Sequence, residues 1–157
     1  MTKTSNYVAG SEPAREIVTS RLINASSRLV FAALSDRAHI GEWWGPDGFS
    51  TTTSKMEFRP GGEWRFVMHG PDGRDYINNI VYEEIVAHEL VVMKHSGEDE
   101  DVSHRTILTL EEEAGNTHVT LLGVFGSADE RDRVAREYGA VEGGKQNLAR
   151  MAAYLEK

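Results

Sequence analysis

Hydrophobic and polar positions follow two different periods along this chain. Between residues 49 and 125 apolar side chains recur at every second position, most clearly in Trp64, Phe66 and Met68 and in Val119 and Leu121. That is the period of strands with one buried face. Turn signals at Pro60-Gly61-Gly62, Pro71-Asp72-Gly73, Gly97 to Asp101 and Ala114-Gly115-Asn116 divide the region into strands over 49–58, 63–69, 75–86, 89–96, 102–112 and 117–125. Connections this short join antiparallel neighbours, since a parallel crossover needs a dozen residues or more.

The two ends read differently. Residues 15–24 are rich in β-branched side chains and predict a first strand. Ala25-Ser26-Ser27 then offers N-cap chemistry for a helix with Leu29, Val30, Ala33 and Leu34 on one side, and Asp36 caps a second short helix through Trp43. Gly45-Pro46-Asp47-Gly48 stops it. After 125 the period becomes helical. Ser127 and Glu130 suit a capping box, Gly139, Gly143 and Gly144 weaken the middle, and Val141, Leu148, Met151, Ala152 and Leu155 form one stripe. The chain therefore predicts an α+β domain over 15–157 behind an N-terminal tail at 1–14. In it a curved antiparallel sheet of six or seven strands wraps around a long C-terminal helix. A twisted sheet curls, its concave face must be covered, and the terminal helix is the only large element left to cover it. Side chains fill such a space incompletely, so a pocket is expected there.

Composition narrows the partners. With 157 residues, 39% hydrophobic and 27% charged, the chain suits one globular domain. A net charge of −8, with seventeen Lys and Arg dispersed among twenty-five acids, argues against nucleic acid. No apolar run reaches the ~20 residues of a membrane span, and the start lacks the apolar stretch of a signal peptide. With cysteine absent as well, a cytoplasmic protein without disulfides, as a monomer or homodimer, is the expectation. Glu98 to Asp101 and Glu111-Glu112-Glu113 read as solvated turns.

The run Trp43-Trp44-Gly45-Pro46, then Phe58-Arg59-Pro60-Gly61-Gly62, then Tyr82-Glu83-Glu84-Ile85 resembles homologues of the activator of the 90-kDa heat-shock protein ATPase, as does Glu142-Gly143 followed by Leu148 and Tyr154-Leu155. The resemblance spans roughly 15–156 and implies a START-like helix-grip fold (the SRPBCC superfamily) with a cavity between sheet and C-terminal helix. Members often carry Trp where this chain has Gly144. Either the cavity is larger here, or another bulky residue such as Trp43 or Trp64 fills the gap. The eukaryotic co-chaperones of the family carry an additional N-terminal domain with no counterpart in these residues, so activation of the heat-shock ATPase is not the leading expectation.

The chemistry-bearing residues are few. His39, His69, His88, His95, His104 and His118 show no metal-ligand spacing, so no metal and no cofactor is expected; His95 and His104 would meet across one hairpin. No nucleophile motif appears, and no catalytic residue is assigned. Of the Trp43–Trp44 pair, one ring anchors the short helix while the other covers the pocket mouth, or one stacks on a ligand. Tyr76, Asn78 and Tyr82 share one face of a strand, pointing either into the pocket or out. The candidate ligand-binding set is completed by Phe58, Trp64, Phe66, Met68, Leu108, Leu121, Gly144, Leu148 and Met151. The leading expectation is binding of a small, largely apolar molecule for sequestration, transport or sensing. The alternatives are an aromatase/cyclase-like enzyme and a module that contacts a chaperone or another protein partner.

Overall fold

The computed structural model describes residues 13–97 and 103–156. The tail expected at 1–14 falls almost wholly outside the described residues. So do the acidic run from Glu98 to Asp101 and residue 102, where the sixth strand was expected to begin. Seven strands form one antiparallel sheet: β1 Glu16–Ile23, β2 Ser50–Met56, β3 Glu63–His69, β4 Asp75–Val86, β5 Leu90–Gly97, β6 Ser103–Glu113 and β7 Asn116–Phe125. Their order is β1-β7-β6-β5-β4-β3-β2. β2 to β7 run as a meander of hairpins, and β1 closes the far edge against β7.

Among the described residues a 3-10 turn at Pro13–Arg15 precedes β1, and the α-helices are α1 Ser27–Ser35, α2 Arg37–Ile40, α3 Ala128–Tyr138 and α4 Ala140–Leu155. The Ser26 side chain accepts from Leu29 N at 3.3 Å and starts α1. Glu112 accepts from Ser27 N at 2.7 Å, which sets a carboxylate at the positive end of the same helix. Glu111 to Glu113 therefore end β6 and are no free turn. α1 buries Val30, Ala33 and Leu34, but Leu29 is 49% exposed, because it stands about 100° around the helix from Val30. Asp36 accepts from Ala38 N at 2.8 Å and caps α2. That helix ends at Ile40 rather than Trp43: Gly41 takes the C-cap, and the chain turns while Trp43 N and Trp44 N still bond to Ile40 O.

The expected long C-terminal helix is two helices. Gly139 takes a left-handed conformation at φ +60° and divides α3 from α4. Gly143 and Gly144 lie inside α4 without breaking it. The helix buries Asn147, Leu148, Met151 and Ala152. Val141, expected on that stripe, is 44% exposed, since the first turn lies beside the reversal at Gly139, away from the buried stretch.

Register fixes the inner face of the sheet. Trp64, Ile80, His95, His104 and Phe125 form one rung across five strands. A second rung runs Tyr82, Met93, Thr106, Gly123 and Ile17, and a third runs Val91, Leu108, Leu121 and Thr19. Tyr76, Asn78 and Tyr82 share this face, opposite Met68, Phe66 and Met93. After Tyr82 the register shifts through a bulge, and Ile85 rather than Glu84 packs on the core. The Phe58–Gly62 turn holds the bulge: Gly61 N donates to Tyr82 O at 2.7 Å, and Tyr82 N donates to Gly62 O at 3.0 Å. A smaller cluster, Leu90, Val92, Ile107 and Leu122, lies on alternate positions and so on the outer face.

Candidate functional site

Two glycines line the space where α4 approaches the sheet closely. Gly123 on β7 has no side chain to stand on the inner face between Thr106 and Ile17. Gly144 on α4 leaves the helix bare where a Cβ would come within 3.3 Å of Thr19 and 3.6 Å of Leu121. The result is a partly open cavity of ≈ 130 Å³ between the β1–β7–β6 corner and α4. Its walls are mostly apolar. Ile17, Leu121 and Phe125 line it from the sheet, Ala140 from the helix and Trp44 from the loop after α2.

Trp44 is held there by a long-range clamp. Asn147 Oδ1 accepts from Gly45 N at 3.0 Å, and Gln146 Oε1 accepts from Asp47 N at 3.0 Å. One Arg150 nitrogen donates to Trp44 O at 3.4 Å and to Gly45 O and Pro46 O at 2.9 Å each. Gly45 sits at φ +110°, a backbone that other residues rarely adopt. The Trp44 ring meets Trp43 edge-on at 5.6 Å and Trp64 at 5.2 Å. Trp64 in turn stacks on Phe66 at 4.0 Å. Trp43 Nε1 donates to Ala33 O at 3.1 Å and anchors the segment to α1. Arg150→Ala removes the donor for three carbonyls, and charge-assisted bonds of this kind contribute about 1.5–3 kcal/mol. We expect about 2 kcal/mol of lost stability in urea unfolding, with faster proteolytic cleavage near Asp47. Unchanged cleavage would show that Arg150 does not hold the loop.

The polar inventory of the cavity is short. Asn147, 9% exposed, uses its oxygen on Gly45, and its Nδ2 has no acceptor among the described residues. His104 and Thr106 stand side by side in the wall from β6, with Thr19 on β1. His104 is sandwiched between His95 (4.2 Å, 10°) and Phe125 (4.8 Å, 19°). Thr106 Oγ1 and His95 Nε2 hydrogen-bond at 2.8 Å. Each histidine keeps some exposed surface, but Nδ1 of His104 is sealed from solvent without a partner. Burial pushes the His104 pKa down to about 4. Burial, and then the neighbouring His104, push His95 well below the usual imidazole value. Burial also raises the Tyr82 hydroxyl, which has no partner and lies in the core. No Asp, Glu, Lys or Arg lines the cavity. Among the described residues no group of three or more His, Asp and Glu is placed to hold a metal ion.

Of the residues expected from sequence, Trp44, Leu121 and Gly144 line this cavity. Trp43, Trp64, Phe66, Tyr82, Leu108, Leu148 and Met151 are packed in the core around it, with Phe58 and Met68 half-buried against that core. Tyr76 and Asn78 are half-buried at the β3–β4 end of the sheet. Ile17, Thr19, His104, Thr106, Gly123, Phe125, Ala140 and Asn147 also line the cavity and were outside the candidate set. Gly123 carried a usable signal, because an isolated glycine inside a strand pattern marks a gap or a close approach.

A curled seven-stranded antiparallel sheet with a C-terminal helix on its inner face defines the helix-grip class of α+β domains. The chain belongs to the family of activator of Hsp90 ATPase homolog 1-like proteins, whose model matches residues 24–156. A solution structure of a protein from Arthrobacter aurescens is similar at a TM-score of 0.85 and 24% identity, covering 91% of this chain and 87% of that one. A crystal structure of a protein from Nitrosomonas europaea gives 0.82 at 18% identity, covering 92% and 96%. One from Mycobacterium smegmatis gives 0.80 at 22%, covering 90% and 91%. At these identities the likeness speaks for the fold. No curated protein matches the chain significantly in sequence. Family and fold are consistent with a helix-grip ligand-binding domain. No helix among the described residues is long and apolar enough to cross a membrane.

Proposed function

We propose that the protein binds a small, largely apolar molecule in the cavity between the sheet and α4. The observation that carries this reading is the space itself: ≈ 130 Å³ walled by Trp44, Phe125, Ile17 and Leu121, where the sheet and the helix both present glycine. Sites for small molecules are concave, mostly apolar and supplied with a few placed polar groups. Sequestration, transport and sensing all need such a site.

The His104 ring in the wall favours a second reading, an enzyme that moves a proton. With a pKa of about 4 the ring is neutral near pH 7 but a weak base there, and efficient general bases have values near the working pH. Binding is therefore the stronger reading.

Gly144→Leu tests it. A Cβ here already meets Thr19 Cγ2 at 3.3 Å and Leu121 at 3.6 Å, so leucine must push Thr19 aside and take up space at the cavity wall. That crowding offsets the up to ~1 kcal/mol gained by removing a mid-helix glycine. Titration calorimetry with a single-ring probe such as acetophenone should show binding to the parent protein and at least tenfold weaker binding to the variant, with the variant still folded cooperatively. Equal binding by both proteins would place the ligand elsewhere and reject this site.

A further inference from the structure

We infer that the ligand is a neutral, single-ring aromatic molecule carrying one hydrogen-bond acceptor, and that Asn147 Nδ2 reads the acceptor. The inference rests on the binding reading above and narrows it by size, charge and polarity.

Size comes first. The cavity measures ≈ 130 Å³, and an apolar protein cavity of about 150 Å³ accepts benzene. Because the cavity is partly open, one ring can lie inside with a small substituent toward the mouth, whereas a second fused ring would stand largely outside the walls. Shape agrees: Trp44, Phe125 and His104 present aromatic surface to the space, suited to edge and offset contacts with another ring. Charge comes second. With no ionised side chain in the wall and His104 held neutral by burial, an ionic ligand would lose its hydration without a countercharge.

Polarity is settled by the amide of Asn147. A side-chain amide flip is usually ambiguous, because nitrogen and oxygen scatter alike. Here the partner at 3.0 Å is the backbone N–H of Gly45, which only donates, so the atom facing it is the oxygen. The nitrogen is therefore the end left over, on a residue that lines the cavity and has no protein acceptor for it among the described residues. This nitrogen is not sealed from solvent, so a ligand that displaces water from it must offer an acceptor in return or leave the donor unsatisfied. The preferred ligand thus carries a carbonyl, ether or nitrile oxygen or nitrogen and no carboxylate.

Asn147→Asp isolates this atom. A carboxylate still accepts from Gly45 N–H, and that bond favours its ionised form, so the clamp survives while the donor disappears. Calorimetric titrations at pH 8 compare acetophenone with α-methylstyrene, which has the same shape with a methylene in place of the carbonyl oxygen. The expected result is about tenfold weaker acetophenone binding in the variant, with α-methylstyrene changed less than threefold. Benzoate and 2-acetonaphthone should bind the parent protein at least tenfold more weakly than acetophenone. Equal loss of both matched probes, or of neither, overturns the role of Asn147 while binding in the cavity stands. Benzoate or 2-acetonaphthone binding as tightly as acetophenone overturns the assigned charge or size. If no single-ring probe binds the parent, or if binding survives Gly144→Leu, the cavity is not the site and both readings fall.

Discussion

Trp44→Ala should remove about 3–5 kcal/mol of stability, the usual range for deleting a buried Trp or Phe, and should open the protein to two-ring ligands. Native domains are stable by only about 5–15 kcal/mol, so the loss is a large fraction of the total. The size of the effect follows from the position of the ring. Trp44 is 6% exposed, meets Trp43 and Trp64 edge-on, and forms one wall of the cavity. Trp64 behind it is fixed by stacking on Phe66 and by Nε1 donating to Thr53 Oγ1 at 3.1 Å. Collapse into the vacated space is therefore restricted, which places the loss toward the upper end of the range. The same rigidity leaves the space open, so 2-acetonaphthone should bind the variant at least tenfold better than the parent. Urea unfolding and calorimetry measure the two effects. A loss below 1 kcal/mol together with unchanged ligand size would mean that Trp44 neither packs nor lines the site as described.

The architecture was legible because it depends on local signals. Turn residues at Pro60 to Gly62, Pro71 to Gly73 and Ala114 to Asn116 marked the hairpins, and alternation at Trp64, Phe66 and Met68 marked the buried face. The pairing of His95 with His104 was readable for the same reason, as both flank one hairpin. Local signals fail where the backbone shifts phase. The bulge after Tyr82 moves Ile85 inward, and it depends on a turn some twenty residues earlier in the chain. Of the three glycines read as weakening the terminal helical region, Gly139 takes the left-handed conformation and divides it. Gly143 and Gly144 stay helical, a difference that residue type alone does not give.

The site was less legible because it is made of absences and of long-range contacts. Gly144 drew attention because members of the family often carry Trp at that position, but the cavity has a second bare surface, and Gly123 supplies it from a strand. Asn147 would pass as an ordinary polar residue on α4. Its meaning comes from Gly45, 102 positions away in sequence, just as the meaning of Arg150 comes from the carbonyls of residues 44–46. The Trp-Trp-Gly-Pro run and the polar side of α4 are two halves of one device, and neither half discloses it alone.

Stability should fall steeply as pH drops from about 6.5 toward about 4, and His104→Phe should flatten that fall. Burial holds both stacked histidines below the ordinary imidazole value of about 6.5, His104 at about 4. In that window the unfolded chain binds more protons than the native one, so stability rises with pH and is complete above about 6.5. Each histidine contributes up to about 1.4 kcal/mol per pH unit. The paired and stacked neighbours of the two rings are Ile80, Phe125 and Thr106, none of them charged, so nothing offsets a proton placed there. Glu57 and Glu63, whose values are lowered by Arg59 and by Lys55 and Arg65, release their contribution only below about 4.5 and leave the window to the histidines. Phenylalanine at 104 keeps a ring between His95 and Phe125 and removes both the titration and the unpartnered Nδ1. Denaturant unfolding at pH 7.5 and pH 5 should therefore show the variant about 1 kcal/mol more stable at the higher pH. Its loss on acidification should be roughly half that of the parent, since one of the two buried imidazoles whose values burial lowers is gone. The same loss in both proteins would mean that the buried stack does not control acid stability, and that the protons are taken up elsewhere.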